Sequence, residues 1–414
     1  MPEVVRFSLW RRHPRHIISK WKEEVMDFKL TDEQMIMKKE VKRFVDNELK
    51  PLAVELDKKQ DPKDCFSWEL VKKASAMGLR TMALPDEHGG SGAEQMLHVI
   101  VLEELGAGDL GFASMIGQHT KYTDTLVNLC NDEQKKEFIP EFVKDDTYLL
   151  ASALTEPDAG TDTQLPYDAP GAGMRTFAKK VGNEYVLNGT KHFISNGGVA
   201  KLYFIYSRTK EGLGITRSMS VFLVPNGTPG FSVAKIHDKL GRRLLMNAEL
   251  VFEDARIPAR YLVGTENNAW QMFYGQSPGI NYTIACLIGG VRACYEASLD
   301  YARKRIQGGG PIIKHTSIGT KLSEMRVKLE AARALLWKNV WSWDQRHEYD
   351  PKMNYLTKYF VNEIALQAVN QTVDIFGGMG TDKDMVIEKY LRDVYSILHA
   401  YGNPSVNLIK GMPT

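Results

Sequence analysis

The stretch "YLLASALTEPDAGTD", residues 148–162, marks the place where one hydrophobic periodicity stops and another begins. It opens on a short apolar run, passes through Thr155-Glu156-Pro157 and ends in a Gly-containing turn, the pattern of a strand leaving into a tight loop. Upstream, from about residue 30 to 145, "SWELVKKASAMGLRTMAL", "MLHVIVLEELGAG" and "DEQKKEFIPEFVKD" place apolar residues at i, i+3, i+4 and i+7. That block reads as helical, interrupted by the Gly-rich turn "PDEHGGSGAE". Downstream, to about residue 262, short β-rich runs such as "YVLNGTKHFISNG", "LYFIYSRT", "SMSVFLVP" and "AELVFEDARI" alternate with Gly, Asn and Pro. From about residue 268 helical periodicity returns in long stretches, among them "GGVRACYEASLDYARKRI" and "NYLTKYFVNEIALQAVNQTVDIFGG". The order is therefore helices, a compact β-domain, then a helical bundle.

Composition narrows the function classes. The 414 residues are 43% hydrophobic and 25% charged, enough to bury substantial cores in two or three domains. Lys and Arg (53) nearly balance Asp and Glu (51), so no polyanion-binding surface is expected and nucleic acid is excluded as a partner. Cys65, Cys130, Cys286 and Cys294 form no CxxC and no zinc-like spacing, which points to free thiols, no metal and a reducing, cytoplasmic setting. No apolar run is long enough for a membrane helix. Neither GxGxxG behind a strand, nor GxxxxGK[ST], nor a G-x-S-x-G elbow is present. Residues 1–25 carry clustered Arg and His without the apolar core of a secretory signal, and read as a basic extension or the product of an upstream start codon. Thr31 is a good N-cap for the first helix of the body.

Five ordered motifs sharpen this. "ALTEPDAGTD" (153–162), "LNGTKHFISNGG" (187–198), "YARKRIQGGGPI" (301–312), "DIFGGMGT" (374–381) and "IEKYLRDV" (387–394) together resemble the acyl-CoA dehydrogenase family of FAD flavoproteins. The resemblance covers nearly everything after Met26. It implies an α+β fold: an N-terminal α-helical domain (26–147), a central β-barrel-like domain (148–264) and a C-terminal four-helix bundle (265–414). It also implies FAD as cofactor, an acyl-CoA thioester as substrate, an electron-transfer flavoprotein as acceptor and a homotetramer.

Site residues carry over position by position. Leu154, Thr155, Gly160 and Thr161 match the turn that serves the flavin, where N–H and hydroxyl donors stabilise the reduced, anionic ring. Phe193 matches an aromatic, commonly Trp, that covers the ring, and Ser195 a hydroxyl near N5. Arg305 and Gln307 match the pair that holds the pyrophosphate and adenosine of a neighbour's FAD. Asp374 stands where Gln is common, followed by Gly377 and Gly378, which allow close backbone approach. Asn403 and Ser405 also fall at the cofactor, and Thr161, Tyr282 and Gly402 at the substrate.

The departure concerns the base. Relatives remove the α-proton of the thioester with a Glu, either just before a Gly in a turn after the last long helix or on the first long helix of the bundle. The register assigns Tyr401 and Thr283 to these places, and neither is a carboxylate. Ile284 replaces an Arg that commonly contacts CoA, and the connection "TQLPYDAPGA" is longer than usual. In "FASMIGQHTKYTD", His119 and Asp124 are further candidates for the base. Each has a plainer reading: a tyrosine pKa near 10 suits hydrogen bonding, His119 beside Met115 and Ile116 suits a core, and Asp124 suits solvent or a cap. Three classes stay open: a dehydrogenase with an unusual, cyclic or branched acyl group; other flavin chemistry on the scaffold, such as desulfination, elimination or oxidation of a substrate not carried by CoA; or a non-catalytic FAD-binding subunit.

Overall fold

Thr31 opens the first helix through reciprocal capping. Its Oγ1 accepts from the Gln34 N–H at 3.2 Å, and Gln34 Oε1 accepts from the Thr31 N–H at 3.0 Å. The computed structural model describes residues 28–166, 168–273 and 279–413. The extension expected over residues 1–25 lies outside the described residues.

The N-terminal domain comprises α1 (Asp32–Phe44), which passes through a π-turn into α2 (Lys50–Asp57), then α3 (Trp68–Ala76), α4 (Gln95–Gly108), α5 (Leu110–Leu129) and α6 (Asp132–Lys144). The periodic stretch from residue 67 outruns α3, because Gly78 at φ 76° receives the chain in a left-handed cap. Every residue of α4 except Met96 is buried. Its N-terminus is capped from the other end of the chain, where the Asp344 carboxylate accepts from the N–H groups of Gln95 (3.0 Å) and Met96 (2.9 Å).

The central domain is one seven-stranded sheet: β1 (Leu150–Ala153), β2 (Phe177–Val181), β3 (Glu184–Ser195), β4 (Leu202–Arg208), β5 (Met219–Pro225), β6 (Phe231–Ile236) and β7 (Asn247–Pro258). The strand order is β1-β4-β2-β3-β7-β6, and β5 pairs antiparallel with β4. All seven residues of β4 are buried, the mark of a strand covered on both faces. Gln134, which caps α6 with Asn131, also donates to the carbonyls of Arg260 and Leu262 and so docks the helices on this domain.

The C-terminal bundle contains the short α7 (Ala269–Phe273), then α8 (Ile280–Lys304), the hairpin β8 (Ile306–Gln307) and β9 (Gly310–Pro311), α9 (Thr316–Asp344), α10 (Pro351–Phe376), α11 (Ile387–Ile397) and α12 (Pro404–Lys410). Helix α8 packs on α4 at glycine contacts. A Cβ on Gly106 would stand 2.2 Å from the Cys286 carbonyl oxygen, and one on Gly289 would stand 2.2 Å from that of Glu103.

The three domains meet at a buried ion cluster. Lys389 on α11 bonds Asp109 Oδ2 and Asp393 Oδ2, each at 2.5 Å. Asp109 caps α5 through the Phe112 N–H, and Asp393 accepts from the Arg242 N–H of the β-domain. Burial alone would discharge Lys389, and the two aspartates outweigh it, raising the amine above its ordinary value.

The helix contact makes a contrast of two glycines. Gly106→Ala forces backbone away from backbone and is expected to destabilise by about 2 kcal/mol or more. Gly319→Ala in α9, with no atom nearer than 3.9 Å, should be neutral or stabilising by about 0.5–1 kcal/mol. Urea denaturation of the two variants measures both.

Candidate active site

Helix α5 presents Gln118, Lys121 and Tyr122 at i, i+3 and i+4, one face of a 3.6-residue repeat. Tyr401 meets this face. Its hydroxyl donates to Gln118 Oε1 at 3.2 Å, and the Tyr122 hydroxyl donates to the same oxygen at 2.8 Å. The Thr283 side chain lies near the Tyr401 phenol and favours its ionised form. The Lys121 ammonium lies 4.5 Å from the Tyr401 ring centroid. The two positions that the register assigned to the base, far apart in sequence, thus lie near one another.

Tyr401 adopts φ 62°, followed by Gly402 at φ 97°. Local rules asked only the glycine to be left-handed. A bulky residue held there stores strain, which the surrounding contacts must maintain. Burial pushes the Tyr401 phenol well above its ordinary pKa, Tyr122 and Cys286 add to the shift, and Gln118 and Thr283 oppose it. The phenol therefore stays protonated at neutral pH and acts as a donor.

Next in sequence to Thr283, Tyr282 donates to Asp124 Oδ2 at 2.8 Å, and its hydroxyl lies 3.4 Å from His98 Nδ1. Burial raises the Asp124 carboxyl to about 7, against the Tyr282 hydrogen bond, which lowers it. A carboxyl poised there exchanges its proton near physiological pH.

His119 does not join this group. Its Nδ1 accepts the Leu150 N–H at 3.1 Å, its ring packs 5.3 Å from Phe142, and it is fully buried. Burial and the Arg80 charge push its pKa well below the ordinary value. This arrangement ties α5 to β1 and fits the plainer expectation for His119, a neutral core histidine, better than that of a base.

The residues expected at FAD fall into two groups. In the first, the turn after β1 and the end of β3 are stitched together: His192 N–H donates to the Thr155 carbonyl, and Lys191 Nζ donates to the Leu154 carbonyl at 3.1 Å. Lys191 also pairs with Glu156 Oε1 at 2.7 Å, and the Glu156 carboxylate accepts from the N–H groups of Arg175 and Thr176. Both residues of this pair are buried. The two residues stand 35 positions apart in the chain, and no local pattern marks them as a pair. A β-bulge between Lys191 and Ile194 places Phe193 at φ 56° and leaves its side chain 55% exposed, packed on His192 and His237. Ser195 lies beside Asn247 at the end of β3. Thr161 starts a 3-10 turn (Thr161–Gln164), and Gly160 precedes it.

In the second group, Arg305 and Gln307 are exposed beyond the C-terminus of α8, and Gly377 and Gly378 are exposed after α10. Asp374 pairs with Lys321 at 3.0 Å. Ser405 is exposed on α12, whereas the Asn403 side chain caps that helix by accepting from the Val406 N–H at 2.9 Å, which leaves its amide nitrogen for any further contact.

These residues fit a flavin dinucleotide on one internal criterion. Gly160 and Gly378 have negative or ordinary φ, and a Cβ on either would meet nothing within 4 Å. Neither glycine is required by the chain's own packing, and both leave backbone open to a close-lying group. Among the described residues no cluster of His, Cys, Asp and Glu could hold a metal ion, and no helix is long and apolar enough to cross a membrane.

The buried pair is testable. Burial disfavours the Glu156 charge, yet Lys191 and the N–H donors hold its pKa below the ordinary 4.5. Its contribution to stability is therefore present above pH 4.5 and lost as pH falls through the depressed folded value. Lys191→Met strands the carboxylate and should cost about 3–5 kcal/mol at pH 7. Denaturant titrations at neutral and acidic pH should show the difference between wild type and variant shrinking with acid.

Comparison with known proteins agrees with this geometry. Residues 31–146, 151–255 and 282–408 match the N-terminal, middle and C-terminal domains of acyl-CoA dehydrogenase. An acyl-CoA dehydrogenase of Bacillus subtilis (strain 168) is 32% identical over 366 residues, covering 88% of this chain and 93% of that protein. The structure of butyryl-CoA dehydrogenase from Megasphaera elsdenii superposes with a TM-score of 0.84 at 29% identity, covering 93% of this chain and 98% of that one. PigA with FAD and proline superposes with a TM-score of 0.83 at 26% identity, over 93% and 98% of the two chains. The chain belongs to the acyl-CoA dehydrogenase family, FAD flavoproteins that are oxidoreductases acting on CH–CH donors.

Proposed function

We propose that the protein removes hydrogen from an acyl-CoA thioester with FAD as hydride acceptor and a base other than the usual glutamate. What supports this reading is the nearness of Tyr401 and Thr283, the two positions where relatives carry the base, with the Tyr401 phenol keeping its proton at neutral pH. The carboxylate joined to them through Tyr282 is Asp124. Asp124, ionised above about 7, takes the α-proton, directly or through the Tyr282 hydroxyl. Tyr401, Thr283 and Gln118 hold donors at the reacting end, and Gly402 and Thr161 border the substrate.

FAD, when bound, supplies the acceptor for the β-hydride. Leu154, Thr155, Gly160, Thr161 and Ser195 would hold its ring edge, and Phe193 would cover a face. Arg305, Gln307, Asp374, Gly377, Gly378, Asn403 and Ser405 complete the proposed cofactor set. Helix α8 spans 25 residues, about 37 Å at 1.5 Å per residue, so Arg305 stands a helix length from Tyr282 and Thr283. That separation supports Arg305 and Gln307 serving the cofactor of a second copy, within a homotetramer. An electron-transfer flavoprotein as acceptor rests on the family resemblance. The four buried free cysteines suit a reducing cytoplasm.

A substrate carried by something other than CoA is the second reading. Ile284, in the place of the CoA-contacting Arg, is fully buried and offers the carrier nothing.

Anaerobic titration of the flavin with linear, branched and cyclic acyl-CoA thioesters should bleach its visible band with at least one. The rate of bleaching should rise with pH through about 7, as Asp124 ionises. Asp124→Asn should slow it on the order of a hundredfold or more while FAD content stays constant. Absence of any response to CoA thioesters, with a response to the same acyl groups on pantetheine, selects the second reading.

A further inference from the structure

Three helices each contribute one polar side chain to a row: Asp124 from α5, Tyr282 from α8 and His98 from α4. Tyr282 and His98 are each 1% exposed, and their rings meet edge to face at 5.5 Å. The Tyr282 hydroxyl stands between Asp124 Oδ2, at 2.8 Å, and His98 Nδ1, at 3.4 Å. Nε2 of His98 is buried and meets no hydrogen-bond partner among the described residues. The Met82 carbonyl, which accepts the Ala93 N–H at 2.9 Å, lies near the ring and favours its protonated form, but burial outweighs it and lowers the imidazole to about 4. His98 is therefore neutral at physiological pH, with one ring proton and two nitrogens that can carry it.

The row can be paired in two ways. With Asp124 ionised, the Tyr282 proton belongs to the carboxylate, and the Tyr282 oxygen accepts from His98 with the ring proton on Nδ1. With Asp124 protonated, the carboxyl donates to the Tyr282 oxygen, the Tyr282 proton turns to His98, and the ring proton must sit on Nε2. Neither state strands the hydroxyl, and neither charges the imidazole. Burial and the Asp124 charge keep the Tyr282 phenol protonated in both. The other charged groups around the row are engaged elsewhere: the Asp344 carboxylate of α9 caps α4 through the Gln95 and Met96 N–H groups, and Lys121 of α5 faces Tyr401. The Gln95 side chain, near the Tyr282 hydroxyl, carries no charge.

We propose that His98 is a positioning residue for Asp124: acting through Tyr282, its neutral imidazole exchanges one tautomer for the other as Asp124 gains or loses a proton. The inference rests on Asp124 as the base in the reading above. It names the group that lets this carboxyl change charge without leaving a buried hydroxyl unpaired. The proton count closes: the row gains the single proton that Asp124 takes from carbon, and the imidazole moves its own from Nδ1 to Nε2. A backbone carbonyl in the place of His98 could only accept from Tyr282, and so would favour the protonated carboxyl alone.

The test uses the FAD-loaded protein labelled with nitrogen-15 at histidine, in which solid-state NMR separates the two neutral tautomers and the charged ring. His98→Asn identifies the His98 signals by difference. The infrared stretch of the Asp124 carboxyl, identified by its loss in Asp124→Asn, reports the other end of the row. As pH rises through about 7, that stretch should fade, and His98 should pass from the Nε2-protonated to the Nδ1-protonated form without becoming charged. Tyr282→Phe removes a hydrogen bond to the ionised carboxylate, so Asp124 should still titrate with its midpoint raised by about one pH unit, and His98 should no longer follow it. A His98 ring that keeps one tautomer while Asp124 titrates, or an exchange that survives Tyr282→Phe unchanged, overturns the proposal and leaves Asp124 as the base. An Asp124 stretch that does not change through neutrality removes the base reading, and this proposal with it.

Discussion

The salt-bridge cluster at Lys389 is the constraint on which the site depends. One ammonium from the C-terminal bundle is shared by Asp109, which starts the helix carrying Gln118 and Lys121, and by Asp393, which grips the β-domain through the Arg242 N–H. An unpaired charge at this depth would be very costly, so the three domains are held in one mutual arrangement or the cluster is lost. Arg392 reinforces it by bridging Asp57 and Glu388. The turn that follows this helix delivers Tyr401 against α5, so the placement of the cluster sets the placement of the site.

Given that frame, the local geometry is over-determined. The left-handed φ of Tyr401 is held by Gln118 and Lys121 of α5 with Thr283 of α8 nearby, two helices that approach closely where Gly117 faces Tyr282. On the cofactor side, the Lys191–Glu156 pair fixes the turn after β1 to the end of β3, and the bulge turns Phe193 outward. Between α5 and α8 the Tyr282 hydroxyl engages Asp124, while Gln118 and Lys121 of α5 face Tyr401.

Much of the fold was legible because its signals are local. The change of period at residue 148, the Thr31 cap and the long helical repeats depend on neighbours a few positions away. The α3 stretch was overread because Gly78 ends a helix whose apolar pattern continues. The site was legible only as far as the motifs: Tyr401 and Thr283 could be assigned by register, but their contact joins distant segments. Lys121 was invisible, since a lysine on a periodic helix reads as a solvent face and only tertiary burial shows otherwise. His119 drew interest for its chemistry, and the Leu150 N–H that engages it could not be foreseen. The ion pair of Glu156 and Lys191 was hidden by the length of chain between its members.

On the proposed reading, Tyr401 occupies the place of the catalytic carboxylate. Tyr401→Glu, loaded with FAD and mixed anaerobically with a saturated straight-chain acyl-CoA in a stopped-flow experiment, tests it directly. Rapid flavin bleaching by the variant, where wild type gives little, is the expected result. A variant that retains FAD and binds the thioester but shows no faster bleaching than wild type would contradict it.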